Sequence, residues 1–309
     1  MFYEIKKKLI PIFESTSITL KEPFVLVTTT LDWQVISHAF SFLPEKVSLS
    51  FHTESKLICY EDYLHLIFVL PKKPELANDF IKFSCFLTKD YIIYIDDSSQ
   101  VEPLLQAFSS LEDTFVTSSF QCLFHFLTFF LFQKELRFLE DYNQKLYKLE
   151  ATLQKEPPSS FNQVLAELNK ELLALHSSYQ QLITLGEDLS LNETHILPAT
   201  QLKLAQLFTN RMIRLCDKIQ MIQGHVSQLR EIYQGEINLH QNHMMKTLGI
   251  LTAICLPLSL ITGWYGMNFE SMPEFSWHYG YLFVILLCMI SLFVGSRFFW
   301  KEFKRTPKH

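Results

Sequence analysis

The residues best placed to do chemistry lie near the C-terminal end, in and beside an otherwise apolar run at residues 248–261. At 3.6 residues per turn, Asn242, Met245, Gly249, Thr252, Leu256, Ser259 and Gly263 share one helix face. They are mostly small or polar, whereas Ile250, Ile254, Leu258 and Ile261 occupy other faces. In a bilayer such a face either borders an aqueous path or lets helices pack closely through small residues. Two helices cannot enclose a path, so the first reading requires several chains around one axis. Neither 248–261 nor 280–296 contains Asp, Glu or His. That argues against a proton relay and against a site that strips an ion of its water. A phosphate-cradling Gly-x-x-x-x-Gly-Lys-Ser/Thr loop is missing, as is any nucleophile–base or metal-ligand constellation. The expected chemistry is therefore non-covalent, and the chain is not expected to be an enzyme.

Two apolar runs position this face. Residues 248–266 and 279–300 each have the length and composition of a membrane helix, and the loop 267–278 joins them. Lys246 precedes the first run, and Arg297, Lys301, Lys304, Arg305 and Lys308 close the second, in part within the basic tail 301–309. The loop has no Lys or Arg, only Glu270 and Glu274 among neutral and aromatic residues. The positive-inside rule then places both termini in the cytosol and the loop outside. Trp264, Tyr265, Trp277, Tyr279 and Tyr281 gather at the outer end, where an aromatic belt belongs.

Upstream, residues 1–117 read as a cytosolic α/β domain. Strands are predicted at 24–30, 47–51, 56–60, 63–70, 81–87 and 91–95, the last two joined at Thr88-Lys89-Asp90. Asp32 is the expected N-cap of a short helix ending before Pro44. Neighbouring strands suggest a sheet with antiparallel pairs closed by helices. Residues 118–198 read as a helical hairpin packed on that domain. The Phe-rich stretch 120–132 is too short to span a bilayer and is expected to lie against the sheet; the helix continues amphipathically to about residue 155, and a second runs over 161–185. A polar break at 186–198 precedes a stalk, 199–247, that enters the first apolar run without a turn signal. One helix of about 65 residues would be about 100 Å long.

Composition narrows the partners. A net charge of -5, with no long basic block, gives no sign of nucleic acid. The six cysteines are scattered without a Cys-x-x-Cys pair, which argues against a structural zinc or a disulfide framework. The 28 phenylalanines read first as packing material. The N-terminal residues Met1-Phe-Tyr-Glu-Ile-Lys lack a basic region followed by an apolar core, so no secretory signal is expected.

Asn242-His-Met-Met-Lys246, Pro257-Leu-Ser-Leu-Ile-Thr-Gly263, Tyr265-Gly266-Met267-Asn268-Phe269 and Met272-Pro273-Glu274 closely resemble the CorA family of magnesium transporters. The motif resemblance covers about residues 235–300, and upstream only the architecture agrees. It implies a funnel-shaped homopentamer in the cell (inner) membrane, with five copies of the first membrane helix lining the pore. Gly266, Met267 and Asn268 would select the ion at the outer mouth. Asn242, Met245, Leu248, Leu256 and Ser259 match pore-lining positions, Ser259 standing where the family usually has Thr. Zinc-exporting relatives tend to carry Gly-Ile-Asn, so Met267 favours Mg2+ influx, with Co2+ or Ni2+ as further cargo. A divalent-cation exporter on the same scaffold and a non-conducting membrane-anchored scaffold or sensor remain the alternatives. The resemblance also implies regulation by cytosolic Mg2+ at acidic groups between subunits, for which Asp217, Glu231 and Glu236 are the stalk candidates. No organic cofactor is expected.

The implied ion suits these residues. Mg2+ holds octahedral water and yields it reluctantly, so a ring of acceptors such as the Asn268 amide oxygen can recognise the hydrated ion. The negative dipole end of the first membrane helix would lie at the same mouth, and Glu270 and Glu274 could raise local cation concentration. Two charges moving down a potential gain roughly 5 kcal/mol per 100 mV, so no other energy source is needed.

Overall fold

In the computed structural model the chain forms two compact units, Met1–Arg230 and Glu231–His309. Residues 7, 13–22, 41–42, 45–46, 48, 50–51, 73–79, 111–115, 154–159, 268–276 and 304–309 lie outside the description, as do the side chains of 8, 129–134 and 298–303.

The first unit holds a seven-stranded sheet made of β1 (Phe2–Lys6), β2 (Lys8–Ile12), β3 (Phe24–Thr28), β4 (Lys56–Cys59), β5 (Leu64–Pro71), β6 (Phe80–Leu87) and β7 (Tyr91–Ile95), in the order β2-β1-β3-β7-β6-β5-β4. Only β3 and β7 run parallel, with Phe24 opposite Tyr91 and Thr28 opposite Ile95; the other pairs are antiparallel. β5 is buried at every position, which explains why its sequence is continuously apolar rather than alternating. One face carries Phe24, Leu26, Phe86, Ile93 and Ile95 against Trp33, Phe40, Leu43, Leu49 and Tyr63. The indole of Trp33 donates to Pro44 O at 2.9 Å, so the buried N–H is satisfied. On the opposite face Tyr94 and Phe83 meet Phe126, with ring centroids 5.1 and 6.3 Å away.

Among the described residues the α-helices are, in chain order, α1 (Thr30–Ile36), α2 (Val101–Ser109), α3 (Ser119–Leu153), α4 (Phe161–Leu191), α5 (Ala199–Tyr265) and α6 (Gly280–Phe303). The Phe-rich start of α3 does pack on the sheet, as its length and composition predict. Asp96, 3% exposed, accepts from the backbone N–H groups of Ser98, Gln100 and Val101, which closes the N-terminus of α2.

In the first unit α3, α4 and α5 form a three-helix layer. Gln180 pairs with Cys216 and His176 with Gln220, so α4 and α5 run antiparallel. Arg211 reaches Thr128, Lys218 reaches Glu140 and His225 reaches Glu150, so α3 and α5 run parallel. Tyr142 hydrogen-bonds Glu171 between α3 and α4. On α5 the buried residues Ala205, Phe208, Met212, Leu215, Ile219, Ile222, Val226 and Leu229 recur at alternating steps of three and four, the seam of a coiled-coil-like contact. Ser55 donates its backbone N–H to Gln181 at 2.9 Å and so ties the β4 edge of the sheet to α4.

Several elements differ from their sequence-based expectation. The N-cap of α1 is Thr29, whose hydroxyl accepts from Asp32 N at 3.2 Å; Asp32 sits in the first turn and accepts from the same hydroxyl at 3.0 Å. A Thr three residues before an acid forms this reciprocal cap, and the acid alone does not start the helix. The β1–β2 hairpin was not predicted, because its strands are short, lysine-bearing and interrupted by Pro11. In the stretch 47–51, Val47 and Leu49 are not in a strand; Ser48, Ser50 and Phe51 lie outside the described residues.

The break expected at 186–198 begins later, since α4 continues through Gly186 to Leu191 and stops at Asn192, which adopts a left-handed φ of 48°. Asn192 then holds the following loop through both atoms of its amide, to Leu197 N at 3.1 Å and Leu197 O at 2.8 Å. Gly186 is a contact residue rather than a breaker: a Cβ there would overlap the hydroxyl oxygen of Thr209 and stand 3.2 Å from Phe208. Gly186→Ala is expected to destabilise the first unit by about 1–3 kcal/mol, the usual cost of overpacking. Thr209→Ala, which removes the obstructing oxygen, should return part of that loss in the double variant. Thermal unfolding of the four proteins of the cycle measures it; equal midpoints for wild type and Gly186→Ala would show that the helices do not meet there.

In the second unit α5 runs on to Tyr265 with Pro257 inside it, and α6 packs beside it. Gly295 of α6 lies where a Cβ would be 3.7 Å from Ile254, so the glycine lets the helices approach at that level.

Candidate functional site

Past Tyr233 the helix α5 loses its cover, and residues 234–249 are exposed except for Ile237. From there a second pattern takes over. Ile250, Ile254, Pro257, Leu258, Ile261 and Tyr265 are half-buried, and on α6 so are Val284, Leu287, Cys288, Ser291 and Gly295. Each set forms one stripe at helical spacing, and the Ile254–Gly295 approach brings the two stripes together. At 100° per residue the α5 stripe is centred about 160° from the centre of the small and polar face, which covers a sector about 100° wide. Asn242, Met245, Gly249, Thr252, Leu256, Ser259 and Gly263 are all exposed, as is Leu248 at the edge of the sector. Met245, Leu248, Gly249, Thr252, Ala253, Leu256 and Pro257 border one shallow open groove.

The local chemistry of this face follows from the backbone. Thr252 donates its hydroxyl to Leu248 O at 2.9 Å, so its polar atom is satisfied within the helix. Pro257 has no N–H to offer Ala253 O, which lies on the border of the same groove. In a bilayer that carbonyl needs another partner, and water in a polar cavity is one that can serve. Gly249 and Gly263 have open space where a Cβ would stand.

Where α5 ends, Gly266 N donates to Thr262 O at 2.9 Å and Met267 N to Trp264 O at 3.3 Å. A Cβ on Gly266 would lie 3.0 Å from Thr262 O, so glycine fits this tight closing turn better than any other residue. Met267 is 46% exposed. Asn268, Glu270 and Glu274 lie outside the described residues.

The acidic candidates on α5 are not brought together. Asp217, in the first unit, and Glu231 and Glu236, in the second, are each exposed. Among the described residues, no group of three or more His, Cys, Asp or Glu is placed to hold a metal. Perturbed protonation is found elsewhere, in the sheet, where burial, then His52 and Lys56, push the His65 imidazole down to about 4. Sequence reasoning missed the α6-facing stripe as a unit. Its signal is the half-buried spacing of Ile250, Ile254, Pro257, Leu258 and Ile261, which becomes distinct from general apolarity only once α6 is in place.

The last helix of an α/β unit runs on into an apolar segment, and α5 and α6 are both long and apolar enough to cross a bilayer, the arrangement of a two-span membrane protein. The family model for the CorA-like Mg2+ transporter protein matches residues 28–305, most of the sequence, and the chain belongs to that family. It is similar to the cobalt/magnesium transport protein CorA of Thermotoga maritima, 28% identical over 167 residues, which are 53% of this chain and 47% of that protein. To the magnesium transport protein CorA of Haemophilus ducreyi it is 34% identical over 143 residues, 44% of this chain and 43% of the relative. The matched stretches thus span less than half the length of these relatives. Among solved structures, the CorA magnesium transporter of Methanocaldococcus jannaschii superposes with a TM-score of 0.80, covering 99% of this chain and 97% of that one at 17% identity. That likeness concerns the fold alone.

Proposed function

We propose that the chain is a divalent-cation transporter that passes Mg2+ inward through a pore on the common axis of five copies, in a cell membrane with both termini on the cytosolic side. The observation that carries this reading is the face of α5 turned away from α6. It is small, polar and uncovered over more than five turns, in a segment otherwise suited to lipid. Membership of the CorA-like family and the names of the relatives supply the ion, and Co2+ fits the same reading.

The ion is taken as its hydrate. Five copies of Asn268 at the outer mouth, beside five helix C-termini, offer acceptors for water hydrogens and a negative potential without a carboxylate. Glu270 and Glu274 add long-range attraction. Farther along, Met245, Leu248 and Leu256 form apolar rings that close the path by dewetting when it narrows. Asp217, Glu231 and Glu236 are the groups through which cytosolic Mg2+ would hold the path shut, their exposure leaving them open to a neighbouring chain.

The test is influx into liposomes carrying the purified full chain. Mg2+ should enter under an inside-negative potential without added nucleotide, and the initial rate should rise with the potential. No Mg2+ flux at any potential, from protein shown to be inserted and folded, overturns the proposal.

A further inference from the structure

Glu236, His240 and His243 lie on one side of α5 in a stretch that no described residue covers. At 100° per residue their directions fall within about 60° of one another, roughly opposite the small and polar face. All three are exposed, and their side chains make no hydrogen bond or ion pair among the described residues. They stand just before the apolar segment that begins at Leu248, on a helix continuous through it.

The residue types select a ligand. Side chains three apart on a helix are neighbours, with Cβ atoms about 5–6 Å apart, so His240 and His243 can turn a ring nitrogen each to one point. Imidazole suits Ni2+, Zn2+ and Cu2+, whereas Mg2+ prefers oxygen ligands. Glu236, one turn before His240, places a carboxylate beside the pair. Lys246, three residues beyond His243 and about 60° round the helix, is a cation that works against it. We infer that His240 and His243 form a two-imidazole binding site for an imidazole-seeking transition-metal dication, with water completing its coordination. A metal held by both rings would bridge one turn of α5 and stiffen it where it approaches the apolar segment. The site does not depend on conduction, and binding is expected even if nothing permeates.

The experiment uses the full chain without a polyhistidine tag, in detergent, titrated with Ni2+ against a chromophoric chelator. Wild type should bind Ni2+ in a form that excess Mg2+ does not displace. The His240→Gln/His243→Gln double variant should bind at least about tenfold more weakly. His195→Gln, at an exposed histidine elsewhere, should leave it unchanged. Because the His240 and His243 side chains make no hydrogen bond, ion pair or ring contact among the described residues, far-UV circular dichroism of the double variant should match wild type. Equal Ni2+ binding by wild type and the folded double variant, or displacement by equimolar Mg2+, overturns the inference.

Discussion

Replacing Gly249 by phenylalanine is expected to reduce Mg2+ influx at least about tenfold while the protein still inserts and folds. Open space surrounds the position a Cβ would take, and Gly249 is exposed within the single chain. Among the described residues nothing therefore resists the ring, and phenylalanine is at home in a membrane helix. If the face of Asn242, Met245, Gly249, Thr252, Leu256, Ser259 and Gly263 surrounds a shared axis, five rings enter the path at one level and obstruct or dewet it. The matched control is Leu251→Phe, which lies well outside that face, is itself 60% exposed and should leave influx within about twofold. Liposome influx, normalised to inserted protein, checks both. Normal influx through Gly249→Phe would remove this face from the conduction path. Equal losses in both variants would point to helix packing rather than a pore.

The second large effect concerns acid. His65 is 7% exposed near the start of β5, one strand in from the β4 edge of the sheet, stacked on Phe86 with centroids 4.4 Å apart, and among the described residues its Nε2 has no hydrogen-bond partner. Burial is the first cause of its lowered pKa, with His52 and then Lys56 adding to it, and together they bring it to about 4. An unfolded histidine titrates near 6.5. Between those values the unfolded chain binds the proton more readily than the folded one, so stability falls as pH drops from about 6.5 towards 4 and is fully present above that window. The loss from this group is on the order of 3 kcal/mol by the bottom of the window, and about 2 kcal/mol at pH 5. His52, also lowered by burial first and then by Lys56 and Lys82, acts with the same sign. Thermal midpoints of wild type and His65→Gln at pH 7 and pH 5, followed through the buried Trp33 beside Phe86, measure the effect. Wild type should lose several degrees more than the variant. The same drop in both would mean that His65 is not the group that titrates.

Much of this molecule is legible in its sequence because the signals are local. Pro71, the Thr88-Lys89-Asp90 turn and the apolar runs of β5, β6 and β7 delimit strands that pair with their neighbours in the chain. The absence of proline between Ala199 and Leu256 announces the long helix before any packing is known. Pro257 then falls inside α5 without ending it. The less legible elements depend on partners remote in sequence. Gly186 looks like a helix stop, yet α4 passes through it, and its missing Cβ leaves the space that Thr209 fills. Asp32 looks like a cap, but Thr29 takes that role.

The candidate site divides along the same line. By itself the sequence determines two bilayer-length apolar segments, a face of small and polar residues on the first, and the Gly266-Met267-Asn268 tripeptide between them. These are matters of composition and of the 3.6-residue period, which any helix displays. The tertiary structure alone decides which face of α5 is taken. Gly295 admits α6 against Ile254, the stripe from Ile250 to Tyr265 is half-buried by that contact, and the small and polar face is left about 160° away. Periodicity can count the faces of an apolar helix, but it cannot say which of them a neighbour will cover, because that depends on where a second helix can approach most closely.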